Sequence, residues 1–294
     1  MEYYKNDNGI LYMGDCIKEL KQVKDKSQQA IIIDPPYNIG KDFWDVIPDY
    51  QQWMSNVVQA LEPKLKDNGT FVIFHNDFDA LSKIHLNIER LTSLKLRDFC
   101  VWNKRFKESS KYGYLSGYVM KNTAHRFEKM CEYFMCYTFD NTHKLKKARE
   151  ERDVKQLTIS KEILSKTGGL TGWYSNIERG LNMPTRDTIK PIEKHLGITF
   201  EDIVPKFNNQ KEFHSVMNFD IESKQGHMTP KPIALLETIL KYFTDEGDEV
   251  LDCFGGSGSL AVAAQNLDRK FTLIEFEEEY CEITKNRLDE LTLF

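Results

Sequence analysis

The stretch Val250-Leu251-Asp252-Cys253-Phe254-Gly255-Gly256-Ser257-Gly258-Ser259 decides the reading of this chain. A strand from Glu249 to Leu251 runs into clustered glycines, and Ser259 to Leu267 then has helical spacing. Such a turn brings backbone N–H groups close to an anionic ligand at the positive end of a helix. The next strand, Phe271 to Ile274, delivers Glu275 about twenty residues after the first glycine, where an acid that holds a ribose belongs. No Gly-Lys-Ser/Thr follows the glycines, which excludes a phosphate-gripping loop of the Walker type.

Outward from this turn, strand-like runs alternate with helical patterns, through the first third in the manner of a parallel sheet with crossover helices. Upstream, Ile10 to Met13, Ala30 to Ile33, Phe71 to Phe74, Phe99 to Trp102 and Cys131 to Phe139 read as strands. Cys16 to Val23, Tyr50 to Leu65 and Phe78 to Leu91 read as helices, as do Pro232 to Phe243 and Glu277 to Leu291 downstream. Between them, Asn141 to Arg152 is heavily charged, and Thr158 to Phe200 breaks into short helical patterns. The expectation is an α/β sheet made of residues 1–139 and 223–294, with an inserted, mostly helical lobe at 140–222.

The 294 residues are 40% hydrophobic and 29% charged, an ordinary globular composition. No run reaches the roughly 18 apolar residues of a membrane span, and the N-terminus lacks the layout of a secretory signal, so a cytoplasmic location is expected. The six cysteines have no CxxC pair and no His at zinc-ligand spacing, so reduced thiols and no metal are expected. The net charge of −5 hides a distribution. From Val101 to Lys166 fifteen Lys and Arg face eight Asp and Glu, a local +7 that leaves −12 on the rest. One region is basic, which keeps a polyanionic partner open.

Asp34-Pro35-Pro36-Tyr37 follows the apolar run Ala30 to Ile33, at the strand end where open α/β sheets place ligands. Two prolines fix φ and leave nearby carbonyls without local amide partners, so the Pro35 carbonyl and the Asp34 carboxylate are candidate acceptors for an amino group. Tyr37 offers a ring on which a planar base can stack. For the glycine turn, an adenosine-containing cofactor whose only anion is a carboxylate fits, and S-adenosylmethionine is such a ligand.

Together the two motifs resemble the amino-methyltransferases of DNA, which carry a DPPY-type motif and an FxGxG motif on a Rossmann-like sheet. The order, DPPY first and Phe254 to Gly258 last, is similar to the circularly permuted β class. Leu11-Tyr12-Met13-Gly14-Asp15-Cys16 is similar to that family's opening segment, with an acid near the cofactor adenine. His227-Met228-Thr229-Pro230-Lys231-Pro232 is similar to its HPTQKP segment, and Glu275 to Tyr280 to its acidic ribose segment. The departures are Cys253 for Pro, Met228 for Pro and Pro230 for Gln. They bear on contacts to the methionine moiety, and Cys253 reads as a small buried filler rather than a nucleophile.

The resemblance implies a site-specific DNA methyltransferase with S-adenosylmethionine as cofactor, catalysis at Asp34, Pro35, Pro36 and Tyr37, and no metal. Its cofactor residues are implied to be Asp15, Cys16, Asp34, His227, Thr229, Lys231, Asp252, Phe254, Gly255, Gly256, Ser257, Gly258, Glu275 and Phe276. DPPY resembles the adenine-N6 enzymes more than the cytosine-N4 ones, and cytosine N4 is the alternative target. No Pro-Cys dipeptide occurs, against the cysteine-nucleophile route to cytosine C5. The target amine lies inside a duplex, so base flipping is expected, with Phe43 and Trp44 as candidates to fill the gap or simply to pack their loop.

Within the lobe, Ser175 to Gly180, Pro184 and His195 to Ile198 resemble a repressor-type helix-turn-helix, so 140–222 is expected to be the target-recognition domain. Lys144, Lys146, Lys147 and Arg149, with Arg179 and Arg186, are candidate DNA contacts, the first four more for phosphates than bases. The alternative is a helical domain that packs or dimerises. Partners implied are double-stranded DNA, a second copy of the chain and a cognate restriction endonuclease, with no membrane and a place at the nucleoid. A DNA-binding regulator with a vestigial methyltransferase fold, or an enzyme acting on RNA or protein, are the rival readings.

Overall fold

In the computed structural model, residues 1–40, 45–104, 131–210, 214–222 and 230–291 are described. Among the described residues nine strands form one mixed sheet: β1 (Glu2–Asn6), β2 (Gly9–Met13), β3 (Gln28–Ile33), β4 (Leu65–His75), β5 (Leu94–Asn103), β6 (Cys131–Phe139), β7 (Val216–Asn218), β8 (Glu249–Asp252) and β9 (Lys270–Glu275). Their order is β1-β2-β9-β8-β3-β4-β6-β5-β7. From β2 to β4 all pairs are parallel, while β6 runs antiparallel to β4 and β5.

The apolar run of β3 is continuous because both of its faces are covered. Ile32 and Ala30 pack on the side of α9 (Ile233–Phe243), α10 (Ser259–Asn266) and α11 (Glu278–Leu291), whereas Ile31 and Ile33 pack on the side of α1 (Cys16–Glu19), α2 (Tyr50–Leu61) and α3 (Phe78–Leu91). Val72 and Ile73 on β4 divide in the same way. Each fully buried side chain of this size contributes about 1.5–3 kcal/mol, so the two layers fix the strand register. α3 begins at Phe78 because the Asp77 carboxylate caps the Ala80 N–H at 3.0 Å.

Register brings the distant motifs together. Ile31 pairs with Leu251, which sets the turn after β3 beside the turn after β8, and Met13 pairs with Glu275, which sets Asp15 beside the end of β9. The carboxyl ends of β2, β9, β8, β3 and β4 thus form one edge.

The inserted lobe has its own core. Leu145, Ile159, Tyr174, Ile177, Ile192 and Ile203 are buried together, on α4 (His143–Glu151), α5 (Gln156–Ser160), α6 (Trp173–Glu178), α7 (Lys190–Leu196) and α8 (Phe200–Ile203). This cluster ends at Val204. Beyond it, inside the 140–222 stretch, Phe207 stacks on Tyr242 with centroids 5.4 Å apart, and β7 pairs with β5 in the main sheet. Three residues of alternating exposure give too little pattern to read as a strand from sequence.

The lobe is anchored at the sheet edge opposite the motif turns. Asn141 donates to the Asp67 carbonyl at 2.6 Å, Lys144 Nζ pairs with the Asp67 carboxylate at 2.6 Å, and the Lys206 N–H reaches the Asn68 carbonyl at 2.9 Å. From Thr70, where the regular register with β3 begins, to His75 is five residues, about 17 Å at the rise of a strand.

Candidate active site

A cavity of about 420 Å³ opens at the motif edge of the sheet, within the usual size range of a small-molecule site. It is lined by Asp15, Cys16, Asp34, Pro35, Pro36, Tyr37, Lys231, Asp252, Phe254, Gly255, Gly256, Ser257, Glu275 and Phe276. Sequence reading singled out every one of these. Gly258 stands behind them as N-cap of α10 at φ 76°, and an added Cβ would lie 2.6 Å from Thr284 Cγ2. Only glycine fits there without strain. His227, Thr229, Phe43 and Trp44 fall outside the described residues. Trp53 and Ile47 also line the cavity and were not anticipated; Pro230 and Tyr280 line it too, and belong to the segments likened above to HPTQKP and to the acidic ribose motif.

At one end, Glu275 is nearly buried and accepts three backbone N–H groups: Gly256 at 2.6 Å, Phe276 at 2.8 Å and Glu277 at 2.8 Å. An ionised carboxylate has about four lone-pair sites, so acceptor capacity remains for a sugar hydroxyl. Burial raises its pKa against those three bonds. α11 braces the glycine turn from behind, Thr284 Oγ1 donating to the Gly256 carbonyl at 3.0 Å and Arg287 to the Ser257 carbonyl at 2.6 Å. Asp15 caps α1 through Lys18 N–H at 3.0 Å, and the Gly14 N–H reaches the Glu275 carbonyl at 2.8 Å.

Asp252 lies between the two motifs, 7% exposed, accepting the Phe254 N–H at 2.9 Å. Burial, with the charges of Asp34 and Glu275, pushes its pKa to about 8. A buried carboxylate in this state is completed by a cation, and the ammonium group of an amino-acid cofactor supplies one. The donor set therefore fits S-adenosylmethionine: a bound acid for the ribose, a glycine turn at a helix start, and an acid for the amino group.

At the other end sits a network that sequence reading found only in part. Tyr37 OH donates to Asp34 Oδ1 at 2.5 Å and lies 3.3 Å from Glu132 Oε2. Lys231 Nζ bonds Asp34 Oδ2, stands 3.1 Å from Tyr37 OH and 3.3 Å from Glu132 Oε2, and is 5.4 Å from the Tyr37 ring centroid. Lys104 Nζ bonds Glu132 Oε1. Burial alone would raise the Glu132 pKa, but Lys231 and Lys104 outweigh it and hold it at about 2. Burial lowers Lys231, but Asp34 first and then Glu132 outweigh it and hold its pKa above the ordinary value. Tyr37 is held well above its ordinary value by burial and both carboxylates, so it stays a donor. His75 packs on the Tyr37 ring with centroids 4.6 Å apart, and burial lowers it to about 4, so it is neutral. Tyr50 OH donates to the Pro36 carbonyl at 2.7 Å and pins the motif.

The candidate DNA contacts are more dispersed. Lys144 is committed to Asp67, and Arg149 is drawn to Glu178 at 2.8 Å inside the lobe. Lys146 and Lys147 are open to solvent and touch Glu150 and Glu151 at only 4.0 and 3.9 Å. Arg179 is exposed, and Arg186 lies over the Phe200 ring and 3.5 Å from Glu201. Of the helix-turn-helix expectation, Ser175 to Glu178 lie on α6 and His195 and Leu196 end α7, and the eleven residues 179–189 between these helices are longer than the 3–4-residue turn of a compact helix-turn-helix.

The family described as DNA methylase, N6 and N4, matches residues 28–286. The Type II methyltransferase M1.MboII of Moraxella bovis is 27% identical over 283 residues, covering 92% of each chain. The DNA adenine methyltransferase YhdJ of Escherichia coli K12 is 26% identical over 299 residues, 97% of this chain and 84% of that one. Among solved structures, an M1.HpyAVI–SAM complex superposes with TM-score 0.55 at 22% identity, over 94% of this chain and 98% of that one. The cytosine-N4-specific PvuII DNA methyltransferase superposes with TM-score 0.60 at 16% identity, over 97% and 88%. At these identities the structures speak for the fold.

Proposed function

Because the chain belongs to the DNA methylase family, matched over residues 28–286, we propose that it methylates adenine N6 in double-stranded DNA at a defined sequence, with S-adenosylmethionine as donor. The observation that carries this is the junction of Asp34-Pro35-Pro36-Tyr37 with the cavity lined by the glycine turn and Glu275. The adenine-methyltransferase relative and the Asp that leads the tetrapeptide support adenine over cytosine.

Gly255 to Gly258, Asp252, Glu275 and Asp15 would hold the cofactor, which when bound supplies a methyl group on an electron-poor sulfonium. An exocyclic amine is a poor nucleophile, since its lone pair is delocalised into the ring. Asp34 and the Pro35 carbonyl accept its N–H groups and favour the pyramidal, developing-positive nitrogen of the transition state. Alignment of nitrogen, methyl and sulfur contributes up to about 7–11 kcal/mol, and no covalent intermediate is needed. The base reaches this depth by flipping, which costs a few kcal/mol, and stacking on Tyr37 offsets about 1–3 kcal/mol of it.

The lobe's anchorage far from the cavity favours a contact with DNA away from the flipped base, adding affinity through Lys146, Lys147 and Arg179 rather than reading the adjacent pairs. A cognate restriction endonuclease and a place at the nucleoid belong to the same proposal, supported by the Type II relatives. Exposed Phe78 and Phe99, packed with Tyr133, give an apolar face that a second copy would cover in a homodimer. No helix among the described residues is long and apolar enough to cross a membrane.

The test is transfer of labelled methyl groups from S-adenosylmethionine to duplex DNA, RNA or protein. Label in duplex DNA is expected; label only in RNA or protein, or cofactor binding without transfer, would overturn the reading in favour of its rivals.

A further inference from the structure

Both oxygens of Asp34 are engaged by protein donors: Tyr37 OH at 2.5 Å on Oδ1 and the Lys231 ammonium on Oδ2. An amine that is to be methylated needs this carboxylate as acceptor, and its nitrogen becomes positive as the methyl arrives. An ammonium that stays on Asp34 opposes both, by occupying the acceptor and by like-charge repulsion. Pulling Lys231 away without a substitute partner would leave a buried cation uncompensated, a strongly unfavourable state.

A substitute is built in. Glu132 Oε2 lies 3.3 Å from Lys231 Nζ, so the ammonium can exchange one carboxylate for the other by tilting. Glu132 cannot follow it, because its own side chain is 8% exposed on β6 and fastened through Oε1 by Lys104. Lys231 stands between Pro230 and Pro232, whose fixed φ angles narrow the conformations open to its backbone. With Asp34, Glu132, Lys104 and Lys231 the group is neutral overall, and the exchange alters no net charge.

We propose that Glu132 is a positioning residue for methyl transfer, the acceptor that takes Lys231 when the target amine claims Asp34 Oδ2. The inference rests on the DNA-methyltransferase reading above and adds to it two residues, Glu132 and Lys104, that no motif marks. Lys231 then serves the amine end of the site by guarding Asp34 before the base arrives and releasing it afterwards.

The experiment is a double-mutant cycle on the full-length protein with duplex DNA and S-adenosylmethionine. Glu132→Gln keeps size and removes the charge, leaving Lys231 on Asp34. kcat should fall by about tenfold or more, the loss expected for a disrupted charged hydrogen bond at a reacting group, while cofactor affinity stays within about twofold of wild type. Lys231→Met in that background removes the competitor and should make the double variant faster than Glu132→Gln alone. Independent losses would add and give the reverse, a double variant slower than either single one, and a merely structural ion pair would show instead as a lowered Tm and weaker cofactor binding in Glu132→Gln. Should Glu132→Gln fail to fold, the double variant is compared with Lys231→Met, and equal kcat within about threefold is expected. Wild-type kcat in Glu132→Gln, or a double variant no faster than it, overturns the exchange. Absence of methylated DNA with the wild-type protein would remove the functional reading itself, and this inference with it.

Discussion

Tyr37 donates its hydroxyl hydrogen to Asp34 Oδ1 at 2.5 Å, across a turn made rigid by two prolines. The aromatic ring offered to a base and the carboxylate offered to its amine are therefore one unit. Tyr37→Phe keeps the ring and removes the bond, and should lower kcat about tenfold, the worth of a hydrogen bond to a charged group. Tyr37→Ala also removes the stacking surface and should cost about 1–3 kcal/mol more, seen as weaker binding of duplexes with a mismatched target base. Equal rates for Phe and Tyr at this position would separate the ring from the carboxylate.

Division of labour between the motifs gives a second prediction. Asp34→Ala should reduce transfer by at least about 100-fold, as loss of a transition-state hydrogen-bonding group does, with cofactor binding by calorimetry retained. Equal loss of both would show that the two ends of the cavity are not separable.

Asp252 makes cofactor binding depend on pH. Its folded-state pKa of about 8 stands above the ordinary carboxylate value of 3.8, so between those limits the folded protein holds a proton that the unfolded chain has released. This group's contribution to unliganded stability is greatest at low pH and is lost as pH rises toward 8. A cationic group bound beside it favours the ionised form, so affinity for S-adenosylmethionine should rise from pH 6 to 8 with release of a proton. Calorimetry in buffers of different ionisation enthalpy measures that proton. Asp252→Asn should weaken binding and flatten the dependence, whereas a wild-type Kd independent of pH would contradict the assignment.

The ends of the lobe are held at neighbouring residues, Asn141 on Asp67 and Lys206 on Asn68, so residues 142–204 are removable with a short Gly/Ser linker. The shortened protein should bind cofactor normally and methylate the same base in the same sequence, with weaker DNA affinity and a shallower salt dependence. Loss of sequence preference with intact cofactor binding would return recognition to the lobe.

The strands that carry the site were legible because burial on both faces leaves an uninterrupted apolar run, as at Ala30 to Ile33, and because turn residues mark its end. The catalytic and cofactor turns could be read for the same reason: Pro, Gly and acid at fixed offsets from a strand end leave few alternative conformations. β1, β7 and the exposed half of β5 escaped notice, since edge strands half open to water mix polar and apolar residues. Parallel pairing was anticipated in the first third, yet β6 pairs antiparallel with both β4 and β5, a direction that their composition does not reveal. Glu132 was in view as one acid in the strand Cys131 to Phe139, and a lone charge in such a run is the signal of a buried, paired carboxylate. Its partners, Lys104 and Lys231, are 28 and 99 residues away in sequence, so only the folded sheet joins them.

The most direct test of the account is nucleoside mass spectrometry of digested genomic DNA after incubation with the purified protein and S-adenosylmethionine. N6-methyladenine is the expected product. N4-methylcytosine in its place would contradict the target assignment drawn from Asp34, and no methylated nucleoside at all would contradict the enzyme.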